Sequence, residues 1–188
     1  MPVGNNQLIE TLYHQGYTFD HYSKNMTQGH ERYRMAMESI EEYSDEMNLD
    51  HLRVPLRFLV IAQLDCTDCA VAVPAFATLA AKIDEWDYRI VYKDEMAQTL
   101  DYQETFGVGG KQTVPQILIL DTDLRHITRW FDKSYSKKRL LKKYTDMGLV
   151  GKERKEKIAE TPELNIRYEA KMVISEIISL VQKAVYYL

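Results

Sequence analysis

Cysteine is nearly absent from this chain, since its 188 residues contain two. They are Cys66 and Cys69, which are separated by two residues and cannot join distant parts of a fold. This scarcity excludes a fold that depends on a framework of disulfides. A close pair of this kind instead favours catalysis or metal binding.

Long hydrophobic runs are also lacking. No run approaches the roughly 18 apolar residues of a membrane-spanning helix, so a membrane role is not expected. The segment from Met1 to Glu10 has no basic stretch followed by an apolar one, which is the pattern of a signal peptide. Because no export signal is visible and cysteine is scarce, we expect a cytoplasmic location.

The chain also lacks an excess of positive charge. It contains 24 Lys and Arg residues and 28 Asp and Glu residues, which gives a net charge of -4. Nucleic acid is therefore not an expected partner. Charge is nevertheless uneven, since residues 133–157 hold ten Lys or Arg side chains against three acids. Solvated helix faces are the ordinary interpretation, and a basic patch that docks an acidic partner is the alternative.

The cysteine pair is present in a specific local context. Residues 56–62 are rich in β-branched and aromatic side chains and predict a buried strand, whereas 70–86 are rich in Ala and Leu and predict a helix. The first sulfur then lies at the positive end of the helix dipole, which stabilises a thiolate. Pro74 removes one backbone donor and predicts a kink in that helix.

Alternating elements surround the motif and predict an α/β fold with a mixed central sheet flanked by helices. Strand 88–92, helix 95–105 and a hairpin of strands 112–120 and 125–130 follow the motif, so parallel strands with a right-handed crossover are joined by antiparallel ones. Helices are predicted at both ends, over 5–15, 28–47, 137–147, 151–160 and 163–187. The last helix carries a broad apolar stripe that reaches Leu188 and must be covered, either by the sheet or by a second copy of the chain.

This order of elements resembles the thioredoxin fold over residues 54–140. Pro74, five residues after Cys69, matches the helix-kinking proline of that family, and 106–108 resembles its aromatic-Gly-Val sequence. Residues 113–115 resemble the family's Val-Pro, which implies a cis Val114–Pro115 bond lying against the cysteines. The helical additions, residues 1–53 and 141–188, are similar to those of larger bacterial members of the thioredoxin-like superfamily. The C-terminal addition is expected to pack on the core.

The motif also departs from that family. Its Trp-Cys-Gly-Pro-Cys is here Asp65-Cys66-Thr67-Asp68-Cys69, and Val60 stands where the family has a buried acid. The loop from Val108 to Pro115 is about three residues longer than in the family. The charges of Asp65 and Asp68 disfavour a thiolate, so the pKa of Cys66 is predicted to stay above that of strongly oxidising relatives. A reducing role follows from that prediction.

The resemblance implies a thiol–disulfide oxidoreductase in which Cys66 is the nucleophile and Cys69 resolves the mixed disulfide. Asp65, Thr67 and Asp68 are expected to tune the pair, and either acid could accept the proton of Cys69 through water. The backbone of Thr113 and Val114, beside Pro115, is expected to pair with an extended substrate. The partner would be a disulfide-bearing protein or a low-molecular-weight thiol.

No cofactor or metal is expected, because zinc needs four ligands and the five histidines provide no second close pair. Two other functions stay open. One is a redox-inactive module that binds a partner through the groove beside Pro115 or through residues 133–157. The other is a redox sensor whose disulfide changes the packing of the added helices. The sequence also leaves open whether the chain is a monomer or a homodimer.

Overall fold

The computed structural model describes residues 6–96 and 100–187, in which helices and strands alternate nearly as predicted. The three-part division at residues 53 and 140 stays a prediction. In chain order the elements are α1 (Asn6–Gln15), α2 (Phe19–Asn25), α3 (His30–Asp45), β1 (Leu56–Ala62), α4 (Cys69–Ala80), β2 (Trp86–Tyr92), α5 (Lys93–Met96), α6 (Leu100–Phe106), β3 (Gln116–Leu120), β4 (His126–Phe131), α7 (Tyr135–Asp146), α8 (Gly151–Ala159) and α9 (Ile166–Ala184).

The four strands form one mixed sheet in the order β2-β1-β3-β4. Strand β1 is parallel to β2 and antiparallel to β3, and β3 is antiparallel to β4. Because β1 is central and covered on both faces, all but one of its seven residues are buried. The predicted mixed sheet, with its parallel pair and its hairpin, is confirmed.

Helix α4 lies on one face of the sheet and is buried along its whole length. Since it has no polar side that could face water, other helices must cover it. Helices α3 and α9 do so, and α9 also packs against β4. The apolar stripe of α9 is therefore covered within the chain, mostly by helices rather than by the sheet. Its predicted last member, Leu188, lies outside the described residues.

Helix α1 and the segment that follows it cover the other face and one edge of the sheet. Helix α1 buries Ile9, Leu12 and Tyr13 in a second core cluster with α6. Backbone groups of Tyr17 and Ile90 exchange two hydrogen bonds of 2.7 and 2.9 Å, so the chain before α2 covers part of the edge strand β2. None of the helices in the described residues is both long and apolar enough to cross a membrane.

Several boundaries differ from the sequence prediction. Helix α2 is absent from the sequence prediction, because seven residues are too few to show a helical period. The helix after the motif ends at Ala80, since Trp86 already belongs to β2. The predicted helix 95–105 corresponds to α5 and α6, and its residues 97–99 lie outside the described residues. Strand β3 begins at Gln116 because the residues before Pro115 form a loop.

Candidate active site

The two thiols lie between the end of β1 and the first residue of α4. Helix α4 begins at Cys69, so Cys66 precedes it by three residues. The backbone N–H of Cys69 donates a hydrogen bond of 3.2 Å to the Cys66 Sγ. Cys66 is half-buried and Cys69 is buried. Cys66 is therefore the more accessible of the two thiols.

The surroundings separate the acidities of the two thiols. A hydrogen bond from Cys69, helped by backbone N–H groups and opposed by burial and by the charge of Asp68, lowers the pKa of Cys66 to about 7. Burial raises the pKa of Cys69 well above its ordinary value. The charge of Asp68 opposes the thiolate as predicted, but the hydrogen bonds outweigh it. The pair therefore combines a thiolate at Cys66 with a thiol at Cys69.

We expect this difference to be measurable as a pH dependence. Alkylation of Cys66 will accelerate about tenfold per pH unit below pH 7 and level off above it, because the thiolate fraction saturates there. The ultraviolet absorbance of the thiolate, with Cys66→Ser as the control, reports the same midpoint. A midpoint near 9, the ordinary pKa of a thiol, would contradict the lowered pKa of Cys66.

Asp68 is held by two lysines from distant parts of the chain. The Lys137 Nζ donates to its Oδ1 at 2.9 Å, and the Lys133 Nζ lies 2.9 Å from its Oδ2. Burial opposes ionisation, but these ammonium groups lower the pKa of Asp68 below its ordinary value. The Lys137 Nζ also donates to the Glu169 Oε1 of α9 at 2.5 Å. Asp65, the other acid of the motif, is exposed.

Arg32 from α3 approaches the motif from the other side. Its Nε donates to the carbonyl of Thr67 at 3.2 Å, and its guanidinium lies 3.7 Å from the Glu169 Oε2. Gly29, one turn before Arg32, allows the start of α3 to lie this close to α4, because a Cβ at residue 29 would lie 2.6 Å from the Ala70 Cβ. The side chain of Thr67 itself is exposed, so its carbonyl is the group that the protein uses.

The loop before β3 contains the predicted groove residues. The Val114–Pro115 bond is cis, and the Pro115 carbonyl accepts a hydrogen bond of 2.8 Å from the Asp132 N–H. The Thr113 N–H donates to the Lys111 carbonyl at 3.1 Å, and the Thr113 carbonyl accepts from the Gln116 side chain at 2.8 Å. Thr113 is thus largely engaged within the chain, which moves the expected pairing with a substrate toward Val114.

Several residues around the site were not found by sequence reasoning. Charge composition favours a solvated surface for the basic segment 133–157, with docking of an acidic partner as the alternative, whereas two of its lysines pair with Asp68 of the motif. Glu169 had a visible signal, since an acid on the apolar side of a helix needs a buried partner. The other residues are Arg32, the buried Gln116, which bonds the Phe106 carbonyl, and Tyr22, which packs in the same core as Cys69. Within the described residues, no three His, Cys, Asp or Glu side chains are grouped to hold a metal ion.

Comparisons with known proteins agree with the fold. A family model described as thioredoxin matches residues 16–146, which is more than half of the chain. A solved structure of a protein of unknown function from Pseudomonas aeruginosa has a TM-score of 0.63 and 13% identity, over 92% of this chain and 96% of that one. An HIV epitope-scaffold has a TM-score of 0.61 and 12% identity, over 96% and 99%. At such identities these two structures show the fold, added helices included. No curated protein matches the sequence.

Proposed function

This chain belongs to the thioredoxin family, and from that premise we propose that it is a thiol–disulfide oxidoreductase that reduces disulfides through Cys66 and Cys69. The observation that carries the proposal is the hydrogen bond of 3.2 Å from the Cys69 N–H to the Cys66 Sγ, at the start of α4. It supports a thiolate next to a second thiol, which is what disulfide exchange requires.

The first step is attack by the Cys66 thiolate on one sulfur of a substrate disulfide. A bond forms between that sulfur and the Cys66 Sγ, the substrate S–S bond breaks, and the other half leaves as a thiolate that takes a proton from solvent. A pKa of about 7 leaves a large thiolate fraction at neutral pH. It is far above the value of about 3.5 found in a strongly oxidising relative, which favours a reducing role.

The second step is attack by the Cys69 sulfur on the Cys66 sulfur. The Cys66–Cys69 disulfide forms and the remaining substrate half leaves as a thiolate, so the protein loses two electrons and the substrate gains them. The Cys69 thiol must give up its proton, and Val60 provides no acceptor. We assign that role, through water, to Asp68, because its carboxylate is ionised and each oxygen keeps a lone pair beyond its lysine.

A reducing cycle in the cytoplasm fits this proposal. The substrate is a disulfide-bearing protein or small molecule, the backbone of Val114 pairs with it, and an external dithiol returns the oxidised pair to the reduced form.

Reaction with excess dithio-bis-nitrobenzoate tests the function. We expect two equivalents of yellow nitrothiobenzoate per chain in two phases, the second of which reports attack by Cys69. Because the chain has two cysteines, the equivalents can be assigned directly. Mass spectrometry should then show an internal disulfide. A single equivalent and a lasting adduct on Cys66 would refute the oxidoreductase and favour the binding module.

Asp68→Asn should move the two phases in opposite directions. Loss of the negative charge lowers the pKa of both thiols, which accelerates attack by Cys66. Loss of the proton acceptor should slow attack by Cys69 at least about tenfold. Asp65→Asn, which changes the exposed acid of the same motif, is the matched control. If both phases became faster, Asp68 would act through its charge alone.

One observation favours the redox sensor as a second candidate. Ion pairs join Asp68 to α7 and, through Lys137, to α9, so a disulfide that shifts the motif would disturb both helices. A sensor would form its disulfide and change the packing of these helices without catalytic turnover of substrate.

A further inference from the structure

A cavity opens beside the motif, between the start of α3 and the connection from α8 to α9. Its volume is about 570 Å³, which suits a small ligand. We call it the Arg32 cavity. Its walls are apolar at Met35, Ile158, Ala159, Pro162, Leu164 and Ile166 and polar at Arg32, Glu160, Thr161 and Asn165. They therefore combine apolar surface with one guanidinium and one carboxylate, and that carboxylate, Glu160, pairs with Lys157.

Arg32 connects this cavity to the reactive pair. Its Nε bonds the carbonyl of Thr67, the residue next to Cys66, at 3.2 Å. A guanidinium has five N–H donors, and this is the one hydrogen bond that Arg32 makes among the described residues. Its side chain is 32% exposed, so the remaining donors can reach a ligand.

The neighbouring charges leave Arg32 as the cation available to a ligand. Lys137 is shared by Asp68 and Glu169, and Lys133 by Asp68 and Asp132. Glu169 forms an ion pair with Arg32 through its Oε2 at 3.7 Å, which is longer than a hydrogen bond, and its Oε1 accepts a hydrogen bond from Lys137. The planar fork of Arg32 therefore matches a carboxylate, which it can bind with two parallel hydrogen bonds.

We propose that the Arg32 cavity binds one half of a low-molecular-weight disulfide that carries a carboxylate near its sulfur. The carboxylate pairs with Arg32, the apolar part lies on the cavity walls, and the sulfur faces Cys66. This inference rests on the proposed function and names its substrate class. The cavity is linked to the reactive pair through Arg32, which lines it and bonds the carbonyl next to the half-buried Cys66, so a ligand held there can present its sulfur to that thiol.

Three small symmetric disulfides of similar length test the proposal: anionic dithiodipropionate, neutral bis-hydroxyethyl disulfide and cationic cystamine. We expect the wild-type rate constant for the first step to be about tenfold higher for the anionic than for the neutral disulfide, and lowest for the cationic one. Arg32→Met should abolish this order, so that the anionic and neutral disulfides react at equal rates; the comparison is made within each variant because Arg32 also bonds the Thr67 carbonyl beside Cys66. The control is Arg34→Met, on the same helix, where the arginine is 68% exposed and pairs with Glu38.

The outcomes separate this inference from the proposed function. If the wild type reduced none of the three disulfides and no protein disulfide, the oxidoreductase itself would be refuted. Equal rates with all three, or a charge order that persists in Arg32→Met, would overturn the Arg32 cavity alone. Ala159→Trp provides a second variant, because Ala159 is exposed on the cavity wall and can be enlarged without removing Arg32. It should slow the anionic disulfide about tenfold, and an unchanged rate would also count against the cavity.

Discussion

Cys66→Ser will abolish disulfide reduction, and Cys69→Ser will stop the reaction at a mixed disulfide. A serine hydroxyl at position 66 is not ionised at neutral pH, so the loss of rate should be on the order of a thousandfold or more. In Cys69→Ser the first step persists, because the backbone N–H of residue 69 still donates to the Cys66 Sγ and a hydroxyl can replace the thiol as a second donor.

Turnover of insulin disulfides and mass spectrometry of the products measure both effects. Cys66→Ser should give neither turnover nor adduct, and Cys69→Ser should accumulate one adduct per chain. Circular dichroism of each variant provides the control for folding. Residual turnover in Cys66→Ser, or an adduct on Cys69 in that variant, would show that the assignment of nucleophile and resolving thiol is wrong.

Lys137→Met will destabilise the protein by about 3–5 kcal/mol, because it leaves buried acids without their shared cation. Glu169 is 3% exposed, and its Oε2 already lacks a hydrogen-bond partner among the described residues. Without Lys137, the nearest cation to Glu169 is Arg32 at 3.7 Å. Of its two lysine partners, Asp68 would retain Lys133. The loss should appear in the free energy of unfolding from urea titration.

Two further variants make this prediction specific. Glu169→Gln in the Lys137→Met background removes the unpaired charge and should recover most of the stability. Lys142→Met, on the same helix, loses a pair with Asp146 that is 75% exposed on the lysine side, and should change stability by less than about 0.5 kcal/mol. A loss below about 1 kcal/mol for Lys137→Met, or no recovery in the double variant, would contradict a buried network.

The pH dependence of this network follows from Asp68. Its pKa is lower in the folded protein, so its contribution to stability is present above the ordinary pKa of a carboxyl group and is lost as pH falls through the lowered value. Lys137 contributes most to lowering this pKa, so Lys137→Met should bring the pKa of Asp68 closer to its ordinary value. The variant should therefore lose less stability between neutral and acidic pH than the wild type does.

The local pattern of the chain by itself determined the framework of the site. An apolar run, two cysteines and an Ala-rich helix follow one another directly, so β1, the motif and α4 were predictable from side-chain periodicity and composition. The parallel pair and the hairpin followed from the alternation of strands and helices. These features depend on neighbours in sequence, which is why the sequence sufficed for them.

The tertiary structure alone decided which charges surround the cysteines. Lys137 lies 69 residues after Asp68, and Glu169 lies 32 residues after Lys137. No spacing rule connects such residues, because their meeting depends on how α7 and α9 pack over α4. The direction of the Cys66 pKa was likewise undecided in the sequence. The position at a helix start argued for a lower value and two nearby acids for a higher one, and the folded structure decides between them, because the hydrogen bonds to the sulfur outweigh the charge of Asp68.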